Sequence, residues 1–131
     1  MKPLYFVLAG SLLLGLGGCA QRVVEPPPAI KPAPVCKSEQ QCSAMWSAAM
    51  NSMQNLSGMR LQIANDYMIQ TFNAIRFNTL SASARRRPMP DGTTAIEATF
   101  NCYHGMYCNN LQYKALNLFI DDVNMAGKGF E

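Results

Sequence analysis

The sequence predicts an α+β fold: helix, three-stranded antiparallel meander, helix, closed as a two-layer sandwich. Two periodicities carry this reading. Apolar residues recur at helical spacing near both ends of residues 36–131, and between them the period switches to two. Size is the third observation. Of 131 residues, 49% are hydrophobic, and a chain of this length builds one modest core. Two amphipathic helices then have to share a single sheet face.

The first helix is announced by Ser38-Glu39-Gln40-Gln41, a capping box with Ser38 at N-cap and Gln41 at N3. Cys42, Met45, Trp46, Ala49, Met53 and Leu56 form its stripe, and Gly58 stops it. From Arg60 to about Asn73, alternation of Leu61, Ile63, Tyr67, Ile69 and Thr71 predicts one long strand, kinked at Asn65-Asp66. If that dipeptide is a tight turn instead, the sheet has four shorter strands. A weaker pattern, Leu80, Ala82 and Ala84, places a second strand over 76–86. Pro90-Asp91-Gly92 is a turn signal, and Ile96, Ala98, Phe100 and Cys102 alternate along a third strand. The last helix is capped by Asn109 or Asn110, carries Leu111, Ala115, Leu118, Phe119 and Val123 on its stripe, and stops at Gly127.

Ahead of this domain lie two segments of different chemistry. Lys2 precedes an apolar stretch, Leu4 to Leu16, too short for a membrane span of about 20 residues. Residues 1–18 therefore read as a secretory leader. Its end, Leu16-Gly17-Gly18-Cys19, resembles the lipobox of bacterial lipoproteins. The resemblance implies cleavage before Cys19 and a diacylglyceryl group on its Sγ, and several acyl chains make a slowly released anchor. Ala20 in place of Asp resembles outer-membrane cargo. Residues 19–35 then form a lipidated, Pro-rich tether with Pro26, Pro27, Pro28, Pro32 and Pro34. As polyproline II, such a run reaches up to about 50 Å. A spacer with reach and a plain linker are equally compatible with it.

The remaining cysteines, Cys36, Cys42, Cys102 and Cys108, are even in number in an exported chain, so they predict disulfides. Both Cys-x5-Cys spacings favour local pairs, Cys36–Cys42 and Cys102–Cys108, each contributing about 2 kcal/mol. A long-range bridge contributes more, so energy alone leaves the connectivity open.

A second resemblance covers most of the mature chain. The runs Lys31-Pro-Ala-Pro-Val-Cys36, Cys42-Ser-Ala-Met-Trp46-Ser-Ala48, Met59-Arg-Leu-Gln-Ile63 and Gln70-Thr71-Phe72, with Cys102-x5-Cys108, are similar to a group of small proteobacterial envelope lipoproteins. It implies the fold and the paired cysteines, and no activity.

Candidate chemistry is sparse. The net charge of +3 falls to +2 without Lys2, too little to indicate a nucleic-acid partner. His104 is the one histidine, and no Ser-His-Asp or Cys-His set assembles around it. Asp121 and Asp122, adjacent on a helix, point about 100° apart and read as a solvated helix end. Arg85-Arg86-Arg87 reads as a charged strand end, with contact to anionic head groups as the alternative. Trp46 reads as core. Cys102, His104, Met106 and Cys108 are soft or borderline ligands suited to copper, but oxidised cysteines cannot ligate.

These features predict a non-enzymatic, lipid-anchored protein at the periplasmic face of the outer membrane. Its expected partners are the membrane, through Cys19, and an envelope protein; no catalytic residue, cofactor or metal site is expected. The alternative is a periplasmic copper or redox module.

Overall fold

The computed structural model describes residues 18–19, 24–103 and 108–131. The leader up to Gly17, the tether residues 20–23, and His104 and Met106 of the possible copper cluster lie outside them. The chain runs β1 (Val35–Cys36), α1 (Glu39–Ser57), β2 (Leu61–Ala64), β3 (Met68–Thr71), β4 (Leu80–Pro88), β5 (Thr94–Cys102) and α2 (Leu111–Gly127), and ends in a 3-10 turn, Lys128–Phe130. One antiparallel sheet has the order β1-β5-β4-β3-β2. The mixed α+β class of the sequence reading holds; the three-stranded meander becomes five strands.

Two local causes account for the difference. Asn65 breaks the predicted long strand. Its Oδ1 accepts from the backbone N–H of Tyr67 and of Met68, at 2.9 Å each, which closes a side-chain-supported turn between β2 and β3. A register shift between Leu61 and Ile63 then moves Ile63 opposite Gln70, away from the core. The predicted stripe splits accordingly: Ile69 and Thr71 are buried, while Ile63 and Tyr67 are exposed. The extra strand, β1, forms because Val35 and Cys36 pair with Ala95 and Thr94.

The β4–β5 hairpin follows the pattern. Leu80, Ala82 and Ala84 face Cys102, Phe100 and Ala98 across the ladder, all on the helix-covered face. Its turn is set by Gly92, at φ 84°, and by Asp91 Oδ1, which accepts from the N–H and hydroxyl of Thr93. Those two bonds, the hydroxyl one first, hold the Asp91 carboxyl below its ordinary range.

Both helices lie against this face and against each other. Ser38 caps α1 through Gln41 N–H at 3.2 Å, and Gly58, at φ 68°, ends it. The capping box is modified. Gln41 Oε1 accepts from Lys37 N–H at 2.7 Å, and its Nε2 donates to the Gly127 carbonyl at 3.1 Å, which ties the start of α1 to the end of α2. At Gly127 an added Cβ would come within 2.6 Å of Met45 Sδ, so any larger residue there would have to displace the Met45 side chain. On α2 the inward residues are Ala115, Phe119, Ile120 and Val123; the expected Leu111 and Leu118 are exposed. Asn110 is the N-cap but caps nothing with its side chain, which donates instead to the Glu25 carbonyl.

Both local disulfides, Cys36–Cys42 and Cys102–Cys108, are formed. They staple opposite ends of the domain, since β5 runs its nine residues from beside β1 to the Cys102 bridge.

Candidate functional site

The segment expected to be a free tether is bound to the domain. Asn110 Nδ2 donates to the Glu25 carbonyl at 2.6 Å, and Lys114 pairs with the Glu25 carboxylate at 3.3 Å. One turn further, Asn117 receives Lys31 N–H and donates to the Ala29 carbonyl, both at 2.9 Å. Lys31 Nζ then pairs with Asp121 at 2.5 Å. Residues 25–31 thus form a strap running parallel to α2. Prolines 26–28 and 32 explain how: they leave backbone carbonyls free to accept, and they keep the strap extended. Pro34 is buried, and its carbonyl accepts from Ile96 N–H at 2.8 Å. Asp121 and Asp122 are exposed, as expected of a solvated helix end, but each also has a partner: Asp121 holds the strap, and Asp122 accepts from Ser52 Oγ at 2.6 Å.

The strap orients the domain. It starts beside the N-terminus of α2, at the end that also holds the Cys102–Cys108 bridge and the β3–β4 loop, residues 72–79. This is the strap end. The opposite, distal end holds the β2–β3 turn, the β4–β5 turn and the start of α1.

A groove of about 400 Å³ opens at the distal end, between α1 and the β2–β3 turn. Glu39, Ser43, Trp46 and Met50 contribute from α1, Asp66 and Tyr67 from the turn, and Arg86 from β4. The α1 residues fall at intervals of three and four and so make one helix ridge. Trp46 is 3% exposed, and its Nε1 donates to the Asn65 carbonyl at 2.9 Å, fixing the turn. Arg86 lies 5.0 Å from the Trp46 ring and donates from Nη2 to the Cys42 carbonyl at 3.1 Å. Its Nε is buried without a hydrogen-bond partner among the described residues.

The arginine run divides by strand alternation. Arg86 points to the helices, while Arg85 and Arg87 point to the other face and both bind Glu97, so the three do not make one anion site. The Arg87 hydrogen bond, then that from Arg85, holds the Glu97 carboxyl below its ordinary range.

Chemically, the groove offers two carboxylates, Glu39 and Asp66, without side-chain hydrogen bonds among the described residues, together with serine hydroxyls, the exposed Tyr67 ring and the Arg86 guanidinium that covers Trp46. That set can receive cationic or hydroxyl-bearing groups. Trp46 was legible as core, but its role as a wall was not, since Asp66 and Arg86 join it only through the sheet. Of the residues expected to be sites, Cys19 is exposed and unpaired, while the other four cysteines are oxidised and offer no thiolate. Among the described residues, no three His, Cys, Asp or Glu side chains converge, and no helix is long and apolar enough to cross a membrane. No protein-family model matches the chain, no curated protein matches it, and no solved structure matches it.

Proposed function

We propose that this chain is a lipid-anchored envelope protein that works by contact, displaying its distal groove to a partner away from the membrane. The strap is the observation that carries this reading. Its bonds to Asn110, Lys114, Asn117 and Asp121 bring the N-terminal segment out at one end of the domain, while the groove opens at the other. The lipobox resemblance at Cys19 supplies the anchor, and Ala20 directs it to the outer membrane, periplasmic face. The two carboxylates favour a partner segment that presents lysine, arginine or hydroxyl groups.

Two measurements test it. Cys19→Ser should leave a form that no longer partitions into detergent; continued partition as an integral membrane species overturns the anchor. A photocrosslinker at Ser43, Ser47 or Tyr67 in living cells should give one discrete protein adduct, weakened by Glu39→Gln with Asp66→Asn. Turnover by the purified domain without any adduct overturns the contact reading.

A further inference from the structure

The strap end carries a surface that neither the core nor the groove explains. In the β3–β4 loop, Ala74 is buried and pins the loop, whereas Phe72, Ile75 and Phe77 are 48%, 71% and 72% exposed. The loop is held in this display. Phe72 N–H donates to the Arg60 carbonyl at 3.0 Å, Thr79 Oγ1 donates to the Arg76 carbonyl at 2.5 Å, and the Phe77 ring meets the edge of Tyr103 at 5.6 Å. Arg76, between Ile75 and Phe77 in the chain, and Arg60, bonded through its carbonyl to Phe72 N–H, are exposed and form no ion pair among the described residues. Glu25, the acid held beside α2 at this end, is paired with Lys114.

We propose that this loop inserts its apolar side chains into the interface of an anionic phospholipid bilayer, with Arg60 and Arg76 on the head groups. The proposal rests on the lipid-anchored reading above, and chain length commits it to lipid. Five residue steps separate Cys19 from Val24, which spans at most about 18 Å. Val24 adjoins Glu25 at the N-terminus of α2, and Asn110 follows the Cys108 that is bridged to Cys102, next to Tyr103 and the loop. While the strap holds, an acyl group on Cys19 keeps the bilayer at this end. The β4–β5 turn lies at the far end of nine-residue strands, about 30 Å away, and Tyr67, beside Arg86, lies about 20 Å from the start of β4. Aromatic rings with adjacent arginines match the chemistry of a bilayer interface, and one lipid signal is made durable by a second.

The test uses the mature chain, residues 19–131, with Cys19→Ser, so that acylation plays no part. It should co-sediment with vesicles of phosphatidylglycerol and phosphatidylethanolamine, and less with phosphatidylcholine vesicles. Phe77→Ser should weaken binding roughly tenfold. Arg60→Gln with Arg76→Gln should remove the preference for phosphatidylglycerol. Introduced tryptophans read the orientation in chains otherwise intact: Phe77→Trp should be quenched by brominated acyl chains, and Tyr67→Trp should not. Absence of vesicle binding, binding unchanged by Phe77→Ser, or quenching at position 67 in place of 77 overturns the proposal. Crosslinks in cells from position 77 to a protein instead of lipid overturn it as well. A negative vesicle result leaves the anchor standing; an unacylated Cys19 in cells overturns the anchor and leaves the vesicle result standing.

Discussion

The two ends of this domain use similar residue types in opposite ways. At the distal end, Trp46 is turned inward, bonded to Asn65 and covered by Arg86, and the helices are tied by Gln41 to Gly127. At the strap end, Phe72, Ile75 and Phe77 are turned outward on a loop fixed by its own backbone bonds. Each end has one disulfide, so the contrast does not come from the staples. It comes from what the sheet edge offers. Near the distal end, the β2–β3 turn folds back under α1 and gives an aromatic ring a polar partner. Beyond β3 at the other end, the loop crosses to β4 outside the helices' cover. Trp46 should therefore contribute to stability, and Phe77 to binding.

The largest effect that would break the contrast is at Trp46. Trp46→Ala should destabilise folding by about 3–5 kcal/mol, since it leaves a cavity and an unpaired Asn65 carbonyl. Urea unfolding measures it, and a loss below 1 kcal/mol would mean that the distal end is not closed by this ring.

Next come the staples. Replacing either cysteine pair by serine should cost about 2–4 kcal/mol. The Cys36–Cys42 pair should lie at the upper end, because both side chains are buried in the core beside α1, whereas Cys102 is only partly buried. Thermal unfolding of the two double variants reads the order; equal losses would show that core burial adds nothing to the chain-entropy effect.

The Arg85–Glu97–Arg87 cluster, on the sheet face away from the helices, gives a smaller, pH-dependent effect. The folded state holds the Glu97 carboxyl below its unfolded value, chiefly through Arg87. Its contribution is therefore present above the ordinary glutamate range, near pH 4.3, and is lost as pH falls through the folded value. Solvent screening keeps it under about 1 kcal/mol. Glu97→Gln should flatten this part of the acid limb of a stability–pH curve; an unchanged limb would show that the ion pairs are not coupled to folding.

Smallest of all is the expected cost of Phe77→Ser to folding, within about 0.5 kcal/mol, since the ring is mostly in solvent. A cost like that of Trp46→Ala would place Phe77 in the core and remove the contrast between the ends.

Much of this architecture is legible in residue order alone, and the reason is local. The span of α1 follows from Ser38, Gly58 and the stripe from Cys42 to Met53, all set within a few turns. The β4–β5 ladder follows from alternation and from Asp91-Gly92, and the short disulfides are the pairing that equal spacing favoured without excluding a long-range bridge. The β2–β3 break was visible only as an alternative, because Asn65 serves equally as a kink or a turn until Met68 is seen to pair back to it. The groove was not legible. Glu39, Asp66 and Arg86 are far apart in sequence, and only the sheet register brings β3 and β4 under α1.

By itself, then, the sequence determined the helices, the alternating strands, a preference for local pairing of the four cysteines and the expectation of an anchor at Cys19, since each depends on neighbours within a few residues; the structure settled the pairing. Tertiary structure decided where the Pro-rich segment goes. Composition describes it as a spacer, yet Asn110, Lys114, Asn117 and Asp121 hold it along α2 across separations of 85 to 90 residues. Local propensity sets the shape of a proline-rich chain; whether it stands free depends on donors and acceptors that a distant helix presents at matching intervals.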